Sequence, residues 1–248
     1  MVNSVHRAAE ILTMLSLGKN RITDIYNELG LSKSTAHRLL KALEECGLVF
    51  QDPISHKYFL GPLIIKLSSD PLLSHQNLIL CAHDEMRTLR DVSGETVALF
   101  LPVGINRLCL EEIDSNQSIK YVVEKGSVSP IYAGSAGRVI LSELSKASLT
   151  RLLKNITFSK LAPNTITDPK ILLKALDVIR KKGYAVSHSE TSDGALSISA
   201  PVRGYHYPVA IGIIGPKYRF HHKLDSLVET IKKCAKQISD KITAASQH

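Results

Sequence analysis

The chain has 248 residues and a mass of 27.2 kDa, a length that suits two small domains better than one. Apolar residues make up 44% of it and charged residues 22%, which is the composition of a soluble globular protein, and no apolar run approaches the ~20 residues needed to cross a bilayer. The formal net charge of +8 suggests an anionic partner, but residues 1–70 carry 8 Lys and Arg against 7 Asp and Glu, so bulk charge does not locate a nucleic-acid surface there.

The first part of the chain predicts three short helices. Apolar residues recur at three- and four-residue steps over 4–17, 22–29 and 33–46, and each stretch is followed by a glycine. Ser4 and Ser32 are placed to cap the first and third helices.

A β-hairpin should follow the third helix. Leu48–Gln51 and His56–Leu60 predict its strands, with the turn-forming sequence Asp-Pro-Ile-Ser at 52–55 between them. We therefore predict a compact domain of helices and a hairpin over residues 1–61. A helical linker is expected over 62–71, with the helix itself at about 63–69.

The third helix has two chemically different faces. Its apolar face carries Ala36, Leu39, Leu40 and Leu43, and the residues between 31 and 43 include three cations and no anion. Such a helix, preceded by a second helix and a glycine-containing turn, fits the major groove of duplex DNA. Arg38 could hydrogen-bond a guanine or a phosphate, whereas Lys33 and Lys41 would neutralise phosphates.

The hypothesis of DNA binding involves one residue before the second helix, the polar face of the third helix, and the tip of the hairpin acting as a wing. The candidate residues are Arg21, Ser32, Lys33, Ser34, Thr35, His37, Arg38, Lys41, His56 and Lys57. Two alternatives stay open: an ordinary amphipathic helix with a solvated basic face, or a winged helix that binds a protein partner or RNA instead of DNA.

Residues 72–248 predict a second domain of mixed α+β type. A helix is expected over 72–92, with Leu73 among its apolar positions, and Gly126–Pro130 is expected to be a loop. Strands are predicted at 96–101, 107–113, 119–123, 183–189, 196–202 and 209–215, and further helices at 137–144, 147–154, 168–182 and 221–244.

Several motifs together carry a family resemblance. They are Ser4-Val-His-Arg-Ala-Ala-Glu-Ile-Leu, Leu29-Gly-Leu-Ser-Lys-Ser-Thr-Ala-His-Arg-Leu-Leu, Gly47-Leu-Val, Ala133-Gly-Ser-Ala-Gly-Arg138, Gly183-Tyr-Ala-Val and Gly194-Ala-Leu-Ser-Ile-Ser-Ala-Pro-Val202. In this order, over about residues 3–245, the set resembles the IclR family of transcription regulators. Two positions depart from that family's pattern: Ser197 stands where Cys is frequent, and Ser187-His188 where acidic residues are frequent.

The resemblance implies a winged helix-turn-helix domain joined by a helix to a GAF-like effector-binding domain, whose antiparallel sheet has roughly six strands. It also implies a homodimer or homotetramer that binds double-stranded DNA at an inverted-repeat operator. The expected effector is a small organic metabolite, often a carboxylic acid.

A small-residue turn at 133–137 is the predicted effector site. Gly134, Ser135 and Ala136 would present backbone amides at a helix N-terminus, which favours an anion such as a carboxylate. Ser197 and Ser199 point to one side of their strand. The expected walls are Tyr132 and Phe100, and the expected acceptors for effector hydroxyls are Glu190 and Asp193.

Enzymatic and metal chemistry find little support in the sequence. The glycine spacing around Ser135 is wrong for a nucleophile elbow, and the segment at 30–35 lacks the glycines of a phosphate-binding loop. The cysteines at 46, 81, 109 and 234 are too far apart for a zinc site or a redox pair. We therefore expect a cytoplasmic protein without signal peptide, membrane association, catalytic residues, metal or cofactor.

Overall fold

A computed structural model of the chain describes residues 2–68, 74–220 and 222–245. These form two compact units, residues 1–74 and 75–248. The predicted boundary at 71/72 lies outside the described residues, as do Leu73, the predicted start of the helix at 72 and the predicted start of the last helix at 221.

The first unit has the predicted order of elements. They are α1 (Val2–Ser16), α2 (Ile22–Glu28), α3 (Lys33–Glu45), the antiparallel strands β1 (Val49–Gln51) and β2 (Tyr58–Leu60), and α4 (Pro62–Ser68). Ser32 caps α3 as predicted. The prediction that Ser4 caps α1 is wrong, because the helix begins at Val2; Ser4 is exposed inside it, where serine costs little.

One aliphatic cluster holds the first unit together. Ile11, Ile25 and Leu40, from three different helices, are fully buried in it and pack with Val49 of β1. Gly30 ends α2 with φ of +61°, and the Leu31 amide then bonds the Tyr26 carbonyl at 2.9 Å. This closure is the Schellman arrangement, and it fixes the turn between α2 and α3.

The second unit is a mixed α+β domain, as predicted. Its elements are α5 (Gln76–Ser93), β3 (Thr96–Val103), β4 (Asn106–Ile113), β5 (Val128–Pro130), α6 (Gly134–Ser142), α7 (Lys146–Leu153), α8 (Pro169–Lys182), β6 (Ala185–His188), β7 (Ala195–Val202), β8 (Val209–Pro216), a 3₁₀ turn (Lys217–Arg219) and α9 (Leu224–Ala245). None of the helices in the described residues has the length and apolar character needed to cross a membrane.

The sheet of the second unit has six antiparallel strands in the order β5-β4-β3-β8-β7-β6. Successive residues of its central strand β3, such as Val97 and Ala98, are both fully buried. Because successive strand residues point to opposite faces, both faces of the sheet are covered. Helices α6 and α8 pack with the cluster that contains Phe100, and α5 packs with α9 and the sheet.

The number of strands matches the prediction, but one strand is elsewhere in the chain. Residues 119–123 are not a strand, because the Glu112 carboxylate accepts hydrogen bonds from the backbone amides of Val123 and Glu124, both at 2.7 Å. Instead β5, in the predicted loop at 126–130, pairs with the start of β4.

Helix α6 begins three residues before its predicted start at 137. Gly134 enters it with φ of +80°. At Gly137 a Cβ atom would lie 2.0 Å from the Ile131 carbonyl oxygen, so this glycine permits the close approach of helix and preceding chain. The glycines that suggested a turn therefore belong to the first turn of the helix.

His75, next to the start of α5, packs among aromatic side chains of the loop between β7 and β8. Its Nδ1 lies 2.6 Å from the Tyr205 hydroxyl, and its ring lies against those of His206 and Tyr207. Burial, together with the charge of His206, lowers the pKa of His75 below its ordinary value of 6.5. Folding therefore favours the neutral form of His75.

This burial predicts a pH dependence of stability. Below pH 6.5 the unfolded chain takes up a proton at His75 that the folded chain resists, so the free energy of unfolding falls as the pH falls. We expect urea titrations between about pH 7 and pH 5 to show a steeper fall for the wild type than for His75→Gln. His83→Gln, at an exposed position of α5, is the control and should behave as the wild type does. Equal slopes for the wild type and His75→Gln would contradict the prediction.

Candidate functional site

The polar face of α3 is exposed and basic. Lys33, His37, Arg38 and Lys41 are exposed, while Ala36, Leu40 and Leu43 on the opposite face are buried. Across residues 2–68 no acidic side chain forms an ion pair with Lys33, Arg38 or Lys41. Since no ion pair with an acid among these described residues compensates their charges, this face attracts anions.

Hydroxyl groups cluster at the N-terminus of α3. The Ser32 Oγ accepts a hydrogen bond from the Thr35 amide at 3.2 Å and lies 3.0 and 2.8 Å from the hydroxyls of Ser34 and Thr35. Arg21 is exposed at the N-cap of α2. Helix N-termini favour phosphate through their free amides and their dipole, so these groups suit a phosphate backbone.

The tip of the hairpin is a fixed turn. The Asp52 carboxylate accepts a hydrogen bond from the Ser55 amide at 3.0 Å, and the hydrogen bonds from Ser55 lower the pKa of Asp52. His56 follows with φ of +54° and is exposed, whereas Lys57 is half-buried. The two strands are shorter than predicted, but the turn presents the predicted wing residues.

The second unit contains a cavity of about 330 Å³. It is lined by seven of the nine residues predicted for the effector site, namely Phe100, Gly134, Ser135, Ala136, Glu190, Ser197 and Ser199. The other two do not line it. Tyr132 is buried in the core, where its hydroxyl donates to the Ser159 carbonyl at 2.9 Å, and Asp193 is exposed, with its carboxylate on the Gly194 amide.

Three serine hydroxyls form a chain at the cavity wall. Ser135, in the first turn of α6, donates to Ser197 of β7 at 2.7 Å and lies 2.7 Å from Ser199 of the same strand. Gly212 on the neighbouring strand leaves room for this chain, because a Cβ atom there would lie 2.8 Å from the Ser199 Oγ.

Glu190 is occupied by the protein itself. Its carboxylate bonds the Arg138 guanidinium at 2.6 Å and accepts a hydrogen bond from the Gly134 amide at 3.0 Å. Both side chains are more than nine-tenths buried. The expected role of Glu190, accepting hydrogen bonds from effector hydroxyls, therefore competes with a buried ion pair, and the first amide of α6 is already bonded.

Two parts of the cavity wall, Arg107 and the segment at 121–123, were not among the predicted site residues. Arg107, in β4, lines the cavity although it is only 8% exposed, and Tyr121, Val122 and Val123 form another part of the wall. The Tyr121 hydroxyl donates to the Asp193 carbonyl at 2.8 Å. The available signal for Arg107 was a cation at the start of an otherwise apolar run, Leu-Cys-Leu at 108–110.

A winged helix with an exposed basic face and a second unit with a cavity of mixed polar and apolar lining define a class of protein, the DNA-binding regulator with a small-molecule domain. Comparisons with known proteins agree. The model of the IclR helix-turn-helix domain matches residues 4–53, and that of the bacterial transcriptional regulator IclR C-terminal domain matches residues 71–240. The chain belongs to the IclR family of transcription regulators.

Similar proteins span nearly the whole chain. The transcriptional regulator KipR of Bacillus subtilis is 31% identical over 224 residues, which cover 89% of each chain. The regulator KdgR of Escherichia coli is 29% identical and covers 96% of this chain and 92% of its own. The solved structure of IclR from Thermotoga maritima matches with a TM-score of 0.66 at 29% identity and covers 98% of this chain and 100% of its own. These relatives are regulators, which confirms the prediction that the protein is not an enzyme.

The Glu190–Arg138 ion pair generates a stability prediction. Glu190→Gln keeps the shape of the side chain but leaves the buried Arg138 charge without a partner, so we expect the free energy of unfolding to fall by about 3–5 kcal/mol. Adding Arg138→Met should recover much of the loss. Glu143→Gln, which breaks the more exposed pair with Arg203, is the control and should cost ~1 kcal/mol or less. Denaturant titration measures all three, and a small effect of Glu190→Gln would contradict the prediction.

Proposed function

We propose that this IclR-family regulator binds an inverted-repeat operator as a homodimer or homotetramer and responds to a small organic acid held in the cavity of its second unit. The observation that carries the proposal is the basic face of α3, with Arg38 and two lysines that form no ion pair with any acid among residues 2–68. The proposed division of the chain follows the predicted domains, 1–61 for DNA, 62–71 as linker and 72–248 for effector and oligomer contacts.

In the proposed complex α3 lies in the major groove. Its buried aliphatic face anchors it to the first unit, so the opposite side chains meet the duplex as a preformed surface. Arg38 would bond a base edge or a phosphate, Lys33 and Lys41 would neutralise phosphates, and the wing residues His56 and Lys57 would lie over the neighbouring backbone. Two copies related by a two-fold axis would place two such helices about one DNA turn apart.

The effector would occupy the cavity beside Ser135, Ser197 and Ser199. The polar wall formed by these hydroxyls and the apolar wall at Phe100 suit a small molecule with both oxygen and hydrocarbon parts. If effector and operator affinities are coupled, each ligand must change the affinity for the other by the same factor.

A second candidate function is a sensor whose winged helix binds a protein partner. It is favoured by the exposed aromatic ring of Phe50 in the hairpin, which stacks on Phe59 at 5.5 Å. Salt dependence separates the two functions, because phosphate contacts release counterions and duplex binding then weakens steeply with salt.

The first prediction concerns the basic face. Arg38→Ala should weaken binding to promoter fragments by about 1–3 kcal/mol, because a base or phosphate contact is lost, and Lys33→Ala should reduce the slope of affinity against salt. Fluorescence anisotropy with labelled duplexes measures both. Lys174→Ala, at an exposed position of α8, is the matched control and should bind as the wild type does. Unchanged duplex affinity of both Arg38→Ala and Lys33→Ala would exclude α3 as the element that contacts DNA.

The second prediction concerns the cavity. Ser135→Trp would fill the space beside the serine chain, so it should abolish the increase in melting temperature that an effector causes while leaving operator binding intact. The measurement is a thermal-shift screen against small carboxylic acids, followed by anisotropy with the same promoter fragment. If the effector still raised the melting temperature of Ser135→Trp, the effector site would not be this cavity.

A further inference from the structure

Charge is not balanced at the wall of the cavity. Among the described residues that line it, two side chains, Arg107 and Glu190, carry charge at neutral pH. Glu190 is neutralised by Arg138, as shown above. Arg107 has no carboxylate within ion-pair distance anywhere in the described part of the chain. The cavity together with Arg138 therefore holds one uncompensated positive charge.

The guanidinium of Arg107 is fixed in place by the backbone. Its Nη1 donates to the carbonyl oxygens of Pro130, at 2.7 Å, and Ala133, and its carbon lies 5.6 Å from the centre of the Phe100 ring. Its Nη2 makes no hydrogen bond to any described residue, and a Cβ atom on Gly134 would lie 3.5 Å from that nitrogen. The absence of a side chain at Gly134 thus leaves Nη2 accessible beside the start of α6.

A buried cation without a carboxylate in contact is costly, because the more distant Glu190 repays only part of its desolvation. Burial lowers the pKa of Arg107 to about 10, so the group is still protonated at neutral pH. A carboxylate of a ligand would restore the balance, since guanidinium and carboxylate form short, charge-assisted hydrogen bonds.

The serine chain leaves one donor for a ligand. A hydroxyl has one proton, and Ser135 gives its proton to Ser197. The bond between Ser135 and Ser199 must then use the proton of Ser199. The Ser197 proton is left, and Ser197 is half-buried at the cavity, so it can donate to an oxygen of the ligand.

We propose that Arg107 anchors the carboxylate of the effector and that Ser197 donates a hydrogen bond to a hydroxyl or keto oxygen of the same molecule. The ligand class is a small hydroxy- or oxo-acid, whose hydrocarbon part contacts Phe100, Val123 and Ile214. This inference rests on the proposed function in taking the cavity as the effector site. It moves the anion from the N-terminus of α6, where Glu190 already lies, to Arg107.

The test uses the full chain, isothermal titration calorimetry and matched probes at millimolar concentration. Pyruvate, lactate and 4-hydroxybenzoate are compared with their amides. They are also compared with propionate and benzoate, which have the carboxylate but lack the hydroxyl or keto oxygen. The acids should bind and the amides should not. Arg107→Gln should weaken acid binding roughly 10- to 100-fold, the worth of hydrogen bonds to a charged group. Ser197→Ala should reduce the affinity for a hydroxy- or oxo-acid to that for propionate or benzoate, which lack the hydroxyl or keto oxygen.

Two further variants keep the test decisive. Arg180→Gln loses the same charge and a hydrogen bond to the Ser142 carbonyl away from the cavity, so it should bind acids as the wild type does. Arg107→Lys keeps the cation and should retain the preference for acids over amides with weaker affinity. If the melting curve without ligand shows that Arg107→Gln does not fold, Arg107→Lys tests whether Arg107 anchors the carboxylate.

The opposite results overturn the inference. They are equal binding of acids and amides, acid binding by Arg107→Gln at wild-type affinity, the same loss in Arg180→Gln, or failure of every acid to bind the wild type. If Ser135→Trp abolishes acid binding and Arg107→Gln does not change it, the cavity stands and only the anchor is wrong. If acids bind equally to the wild type and Ser135→Trp, the proposed effector site itself fails.

Discussion

The second unit depends on one buried carboxylate. Glu190 joins the Arg138 guanidinium to the Gly134 amide, while its own backbone carbonyl accepts a hydrogen bond from Thr165 at 2.7 Å and Arg138 also donates to the Val186 carbonyl at 2.6 Å. These bonds hold the first turn of α6 against β6 and the loop that follows it. That turn carries Ser135 and Gly134, which has no side chain. The position of Glu190 therefore determines both the serine chain and the access to the Arg107 Nη2.

In the described parts of both units, cations lie without ion-paired acids, but in different surroundings. On α3 the charges are in water, so they cost little and act together on an extended polyanion. At Arg107 the charge is buried at the cavity wall, so its interaction with the proposed anion would be strong and would depend on geometry. The same chemical preference for anions therefore suits a long duplex in one unit and a small molecule in the other.

Local patterns predicted most of the fold, and long-range pairings explain the rest. The helices α2 and α3 and the hairpin followed from apolar periodicity, Gly30 and the Ser32 cap, which are interactions between near neighbours. The prediction of a strand at 119–123 was wrong because the Glu112 carboxylate, more than ten residues away, accepts hydrogen bonds from the amides of Val123 and Glu124. Motifs predicted seven of the residues that line the cavity, but not Arg107 or the Glu190–Arg138 pair. No sequence spacing shows that two distant charges meet, or that a third is buried without a carboxylate in contact.

The irregular wall at 119–124 has a consequence for kinetics. No backbone-to-backbone ladder connects Ile119–Val123 to β4 among the described residues. Side chains hold the segment instead: the Glu112 carboxylate, the Tyr121 hydroxyl, Arg219 at the Ile119 carbonyl, the Ser127 hydroxyl at the Val123 carbonyl, the Lys120–Asp114 ion pair and the packing of Val123 against the core. Opening this wall would break these contacts while β3, β4 and β8 remain paired. Entry and exit of the proposed effector would then need loop motion only, on a timescale far shorter than that of unfolding the sheet.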